Sequence, residues 1–153
     1  MGTDPEVKAR HAAGTEEKVF QALLLAADYL LQAEMEVLRG ESLTFPQYNV
    51  LRILRGARPE PLSCGAVSER MLTRDSDLTR LLDRLEERRL VRRRRDPSDR
   101  RVVTAEITDT GLQLLRTLDE PVRRAHRRRL QHLTKAQLAT LLRLAELVRA
   151  APR

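Results

Sequence analysis

Apolar residues recur at helical spacing along most of the chain and alternate in one stretch only. Val19, Leu23, Ala26, Ala27, Leu30 and Leu31 form the first stripe. Thr15-Glu16-Glu17 opens it with a capping oxygen and acids that suit the positive end of a helix dipole, and Gly40 closes it. This predicts a helix α1 from Thr15 to about Leu38. Thr44-Phe45-Pro46-Gln47 combines a capping box with proline in the first turn, and Tyr48, Leu51 and Leu54 follow on one face as α2. Residues 56–61, with two prolines, read as a loop. Ser63 is expected to cap a short α3 through Arg70, carrying Ala66 and Val67. After a tight connection at 71–74, Asp75 is expected to cap α4, which runs to about Arg88.

From Val91 the texture changes. Val91-Arg92-Arg93-Arg94-Arg95 is followed by the turn signal Asp96-Pro97-Ser98-Asp99, and then Val103, Ala105 and Ile107 alternate as in a strand. This is a β-hairpin over 91–107 with a basic stem and tip. Thr108 caps α5, striped by Leu112, Leu115, Leu118, Val122 and Ala125, with Pro121 inside it as a source of a kink. Thr134-Lys135-Ala136-Gln137 is a second capping box and opens α6 with Leu138, Leu141, Leu142 and Ala145. The predicted fold is mainly α with a small β-hairpin wing, in the order α1-α2-α3-α4-β-hairpin-α5-α6. It forms a single domain over 1–153, with residues 1–14 as a polar, frayed arm.

A length of 153 residues is enough for one apolar core, and a hydrophobic fraction of 41% is ordinary for a globular protein. Aromatic residues make up only 3%, so that core is built from Leu, Val, Ile and Ala. The net charge of +7 favours polyanionic partners, either nucleic acid or an anionic membrane surface. Nearly all the positive charge is Arg, whose fork matches phosphate and guanine. Codon bias in a GC-rich genome also favours Arg, but it does not explain where the charge is concentrated. No apolar run is long enough to span a bilayer and no signal-peptide pattern opens the chain, so a cytoplasmic protein of bacterial type is expected. The single cysteine rules out an internal disulfide.

On a helical wheel, Leu78, Leu81, Leu82 and Leu85 place one side of α4 against the core. The other side carries Ser76, Arg80, Asp83 and Glu87, flanked by Thr79 and Arg84. Hydroxyls and an Arg near a helix N-terminus suit base edges and phosphate. Asp83 and Glu87 are expected to repel the DNA backbone, which leaves the first two turns to enter the major groove. An Arg-rich ribbon directly after such a helix suits a narrow minor groove. Together they describe a winged helix-turn-helix, with α4 (75–88) in the major groove and the hairpin (91–107) in the minor groove. A solvated amphipathic helix and a solvated basic turn are the competing readings of the two parts. Catalysis has no foothold, because the chain carries neither a glycine-rich phosphate loop nor a nucleophile-elbow motif. His11, His126 and His132 are not at metal-ligand spacing, so no metal or cofactor is expected.

These residues resemble the MarR family of bacterial regulators. The likeness lies in Leu43-Thr44, Gln47, Leu51, Leu54 and Leu62-Ser63, and in Leu78-Thr79-Arg80-Leu81-Leu82-Asp83-Arg84-Leu85-Glu86. It is clearest in Leu90-Val91, Arg93, Asp96, Asp99-Arg100-Arg101, Ile107-Thr108 and Gly111, and it covers about residues 43–115. The resemblance implies a homodimer that binds a pseudo-palindromic operator, usually as a repressor. The DNA-binding lobe would be 43–107, and the dimerisation helices 15–40 and 108–151. Ser76, Thr79 and Arg80 match groove-reading positions, and Asp99 and Arg101 match a wing-tip pair in which the acid steadies the Arg. Arg84 would pair with that wing Asp, and Ser63 and Arg100 complete the DNA-facing candidates.

Two positions depart from the family pattern. Arg89 stands where a glycine usually ends the recognition helix, and Gly65 lies inside the short α3. The resemblance also implies release by a small aromatic or phenolic effector, or by thiol oxidation. Tyr29, Tyr48 and His126 are candidates to line an effector pocket between the dimer helices and the reading head. Cys64, at the start of α3, is the one thiol available to a redox switch, although the family's peroxide-sensing cysteine lies in the first helix. The run Arg123-Arg124 to Arg127-Arg128-Arg129 could line a groove, touch phosphate or be solvated. The rival classes are a winged helix used as a protein-interaction module and a small helical enzyme or ligand carrier.

Overall fold

The computed structural model describes residues 14–72 and 77–150. The expectations for the arm before Gly14, for Asp75 as a cap and for Ser76 as a groove reader fall outside them. The elements are α1 (Thr15–Arg39), α2 (Phe45–Ala57), β1 (Leu62–Ser63), α3 (Cys64–Arg70), α4 (Leu78–Glu87), β2 (Val91–Arg95), β3 (Val103–Ile107), α5 (Asp109–Leu130) and α6 (Lys135–Arg149). Among the described residues, no helix is long and apolar enough to cross a membrane.

Side-chain caps set most of these boundaries. Thr44 and Thr134 form capping boxes with Gln47 and Gln137, while Ser63 and Thr108 accept from the amides of Ala66 and Gly111. Each supplies an acceptor to an otherwise orphaned first-turn N–H. One expected boundary moves. The recognition-helix candidate α4 begins at Leu78, capped by Asp77, which accepts from the Arg80 amide at 3.2 Å. The end of α1 falls where expected, with Gly40 as its C-cap. Gly40 stays right-handed, and the chain turns left-handed at Ser42, with φ 52°.

The sheet has three antiparallel strands in the order β1-β3-β2. β2 pairs with β3 from Val91 opposite Ile107 to Arg95 opposite Val103, as the alternation predicts. β1 was not expected. It is two residues long, pairs Leu62 with Ala105, and is too short to show a period. Val91, Ala105 and Ile107 turn inward onto Leu51, Leu54, Val67, Leu82 and Leu85, which form one core with Leu112, Leu115 and Leu118 of α5. Arg55 of α2 grips Asp119 of α5 through two hydrogen bonds of 2.9 and 3.0 Å, which ties the small lobe to the long helix. α5 continues through Pro121 as one element.

The terminal helices are different. Phe20, Leu24 and Leu25 of α1 are 61%, 55% and 72% exposed, and no residue of α6 is buried, with Leu142 at 61% and Leu147 at 59%. Two glycines make opposite predictions for stability. A Cβ on Gly111 would overlap the Leu90 carbonyl and come within 2.7 Å of Ile107 Cγ1, whereas Gly56 inside α2 has nothing within 4 Å. Gly111→Ala is therefore expected to destabilise the protein by about 1–3 kcal/mol. Gly56→Ala should stabilise it by about 0.5–1 kcal/mol. Urea unfolding of the two variants beside the parent checks both signs.

Candidate nucleic-acid interface

α3 and α4 follow one another as the two helices of a helix-turn-helix do, and β2 and β3 form a wing directly behind them. Asn49 of α2, 5% exposed, accepts from the Leu72 amide at 2.8 Å and so fixes the chain as it leaves α3 for the turn. No sequence pattern pointed to that contact. A buried polar residue on an apolar helix face was its only trace.

On the outer side of α4, Thr79 and Arg80 are exposed, and the Arg80 side chain, 74% exposed, pairs loosely with Asp77 at 3.4 Å. Arg84 is also exposed and shares a shallow groove with Asp77, Arg80 and Leu81. Ser63 is half-buried and its hydroxyl is engaged in capping α3.

The expected pairing of Arg84 with Asp99 is not formed. Asp99 turns inward on its own loop, accepting from the Arg101 amide at 3.0 Å with the Arg101 guanidinium 3.9 Å away. The steadying of Arg101 by Asp99 therefore comes mainly through the backbone. Asp96 braces the same turn. Hydrogen bonds from the Ser98 hydroxyl and amide, and then from the Asp99 amide, hold its carboxyl below the usual carboxylate range. Arg101 is left 96% exposed at the wing tip, beside an exposed Arg100.

The acids of α4 have another partner. Arg93 of β2 donates from its backbone amide to Glu86 Oε1 at 2.9 Å, and from Nε and Nη2 to Glu86 Oε2 at 2.9 and 2.7 Å. The same Nη2 also donates to Asp83. Asp83 is thus neutralised by the wing and does not stand as a bare charge towards the groove, contrary to expectation. Its distance along α4 from Glu86, three residues, puts both carboxylates on one face. Backbone and side-chain hydrogen bonds from Arg93 hold the Glu86 carboxyl below its ordinary range. Further out on the wing, Glu106 accepts from Arg92 at 2.8 Å, and Arg94 stands 3.8 Å away.

The C-terminal end of α4 is a second junction. Arg89 is left-handed, with φ 58°, where the family pattern has glycine. The Thr108 hydroxyl donates to the Arg89 carbonyl at 2.7 Å, so the cap of α5 also secures the end of α4.

The effector candidates are spread along the inner helices. His126 Nε2 lies 3.0 Å from Glu34 Oε2, and Glu34 is 7% exposed. The Tyr29 ring lies under Arg129, 4.1 Å from the guanidinium carbon. Tyr48 is buried in the core, and burial raises its phenol above the usual value. A groove of about 740 Å³ between α1 and α5 is lined by Val37, Pro121, Arg124, Ala125, Arg127, Arg128 and Gln131 and includes none of the three candidates. Cys64 is half-buried and packs against the core. Within the Arg run of α5, Arg123 and Arg127 pair with Glu120, while Arg128 and Arg129 face Glu36.

A helix-turn-helix backed by a braced cationic wing defines a winged helix-turn-helix protein, a DNA-binding class. A MarR-family sequence profile matches residues 41–102. The chain is 42% identical to a MarR transcription factor from Planctomyces limnophilus of known crystal structure, with TM-score 0.68, covering 89% of this chain and 98% of that one. It is 31% identical over 112 residues to the HTH-type transcriptional repressor IacR of Pseudomonas putida, covering 73% of this chain and 66% of that repressor. Two other curated regulators are matched over 49% and 46% of their lengths. The fold is also that of a mutant MarR from E. coli complexed with operator DNA, with TM-score 0.78 at 23% identity over 89% of this chain and 99% of that one. The chain belongs to the MarR family of DNA-binding transcriptional regulators.

The depressed Glu86 carboxyl predicts a pH dependence. A group whose folded pKa lies below its unfolded value stabilises the fold above the unfolded pKa. That stability is lost as pH falls through the folded value. Stability should therefore drop on acidification below the ordinary carboxylate range, and Glu86→Gln should flatten that drop while lowering stability at neutral pH. Urea midpoints from pH 7 to pH 3 for the two proteins read the difference.

Proposed function

We propose that the protein acts as a homodimeric repressor that reads a pseudo-palindromic operator. In this reading, α4 enters the major groove and Thr79 and Arg80, with Ser76 before them, meet base edges and phosphate. The wing lies along the minor groove and Arg101 enters it, with Arg100 beside it and Asp99 holding the turn. Ser63 and Arg84 flank the contact. The observation that carries this reading is the 96% exposure of the Arg101 side chain on a turn braced by Asp96 and Asp99. A solvated basic loop has no need of such bracing.

The dimer reading rests on the terminal helices. An α6 with no buried residue, carrying Leu141, Leu142, Leu144, Leu147 and Val148 exposed, needs apolar cover. The exposed start of α1 needs the same, and two copies of these stripes can supply it to each other. Tyr29 and His126 belong to the seam between α1 and α5 at the root of that interface, which supports an effector acting there. A small aromatic or phenolic compound bound at the seam would shift the spacing of the two reading heads. Repression is favoured over activation by the similarity to a named repressor.

Two measurements test the reading. Titration onto the DNA upstream of the protein's own gene, beside random duplex and at several salt concentrations, should show tight binding to the former only. Arg101→Ala should lose about tenfold or more of the specific affinity, about 1–3 kcal/mol. Equal and weak binding to both duplexes, indifferent to Arg101, would leave only charge attraction and refute operator reading. Leu147→Asp is expected to convert a dimer into a monomer in sedimentation equilibrium. A monomeric parent protein would contradict the assembly.

A further inference from the structure

Two non-glycine residues of the described chain are left-handed, Ser42 with φ 52° and Arg89 with φ 58°. Both occupy the same place in the same kind of helix ending. At the end of α1, the Leu43 amide donates to the Leu38 carbonyl at 3.1 Å and the Ser42 amide to the Arg39 carbonyl at 3.0 Å. At the end of α4, the Leu90 amide donates to the Leu85 carbonyl at 2.9 Å and the Arg89 amide to the Glu86 carbonyl at 2.8 Å. Each pair closes a helix through a left-handed residue, the position that usually takes glycine.

Arg88 joins the two endings. Its Nη1 donates to the Ser42 carbonyl and its Nη2 to the Glu41 carbonyl, each at 2.9 Å. A planar guanidinium that uses both terminal nitrogens on adjacent carbonyls fixes an angle as well as a distance. Their main packing partners differ. α1 packs mainly on α5 and also on α2, whereas α4 packs on α2, α3 and β2, so α2 is the one main neighbour they share. The Arg88 clasp is therefore a direct polar link from the dimerisation helix to the recognition helix.

We propose that Arg88 is a positioning residue that sets the angle of α4 against α1, and through it the operator half-site spacing that the dimer accepts. The inference rests on the operator-reading dimer proposed above. Leverage makes the angle matter. Ten residues of helix span about 15 Å, so a swing of about 10° about the Arg88 end moves the other end by about 2.6 Å. That is most of the rise of one base pair, about 3.4 Å. The dimer's two-fold axis applies the same displacement to both reading heads.

The test uses duplexes that the parent protein selects from a randomised pool, together with copies in which one or two base pairs are added or removed between the half-sites. Affinities are read by fluorescence anisotropy for the parent, Arg88→Ala and Arg88→Lys, after thermal unfolding has established that each variant folds. The parent should lose about tenfold or more in affinity when the spacing changes by one base pair, similar to the cost of a mismatched pair. Arg88→Ala should bind the selected spacing more weakly, yet discriminate the altered spacings by less than about threefold. Arg88→Lys, which can keep one carbonyl bond, should fall between. A stability defect alone would weaken every spacing equally, so retention of the full spacing penalty by Arg88→Ala overturns the proposal. If Arg88→Ala does not fold, Arg88→Lys and Arg88→Gln carry the same comparison. Selection of no duplex by the parent would instead refute operator reading, and this inference with it. Selection of lone half-sites, with no preferred spacing, would refute the inference while leaving DNA reading standing.

Discussion

The guanidinium of Arg93 sits between Glu86 and Asp83, and its backbone amide adds another bond to Glu86. A hairpin of two five-residue strands is marginal by itself in water. It also leaves β2 as an edge strand crowded with like charges. Packing of Val91, Ala105 and Ile107 gives the wing a floor, but apolar contact is non-directional and sets no angle. The fork of Arg93 on two carboxylates of one helix does set it. At 24% side-chain exposure this cation is sheltered enough for the pair to matter, whereas a fully exposed pair would contribute little. It ties the wing to α4 at a set angle, which the proposed reading of DNA by the two together requires.

The wing and the helices around it share one apolar core with α5, and a few polar joints fix how these parts meet. Arg55 on Asp119 holds α2 to α5, Thr108 on the Arg89 carbonyl holds the end of α4 to the start of α5, and Asn49 holds the chain at Leu72, just past α3. Thr108 also caps α5, so there positioning and helix stability come from one side chain. The terminal helices carry the opposite kind of surface, apolar and uncovered. The chain therefore divides into a polar-jointed lobe and a pair of terminal helices with exposed apolar stripes.

Much of this was legible in the sequence because its causes are local. The caps at Thr44, Ser63, Thr108 and Thr134, the buried stripe of α5 and the hairpin over 91–107 follow from neighbours within a few residues. The left-handed Arg89 could be anticipated from one departure in a family pattern. What could not be read depends on residues far apart in the chain. Asp83 looked like a charge facing DNA because nothing in its spacing reveals a strand folding back from Arg93. The pairing of Arg84 with Asp99 came from the family resemblance, and the inward turn of Asp99 onto its own loop was not legible in it. β1 is too short for any period, and nothing in the sequence marks Ser42 as left-handed. Asp77 took the capping role expected of Asp75 because acids two residues apart offer equal local credentials. Of the residues proposed to meet DNA, Thr79, Arg80, Arg84, Arg100 and Arg101 are all exposed, while Ser63 is engaged in a cap.

The claim that wing and recognition helix act as one unit is tested most directly by a double-mutant cycle on DNA affinity. Arg93→Ala, Glu86→Ala and the double variant would be titrated onto a duplex selected by the parent, with each protein's fold checked beforehand. Both residues turn away from the groove in this account and act through each other, so each single variant should weaken specific binding. The double variant should be little worse than either, with a coupling of about 1 kcal/mol or more. Additive losses, or no loss at all, would mean that the wing is set by something other than the Arg93 fork.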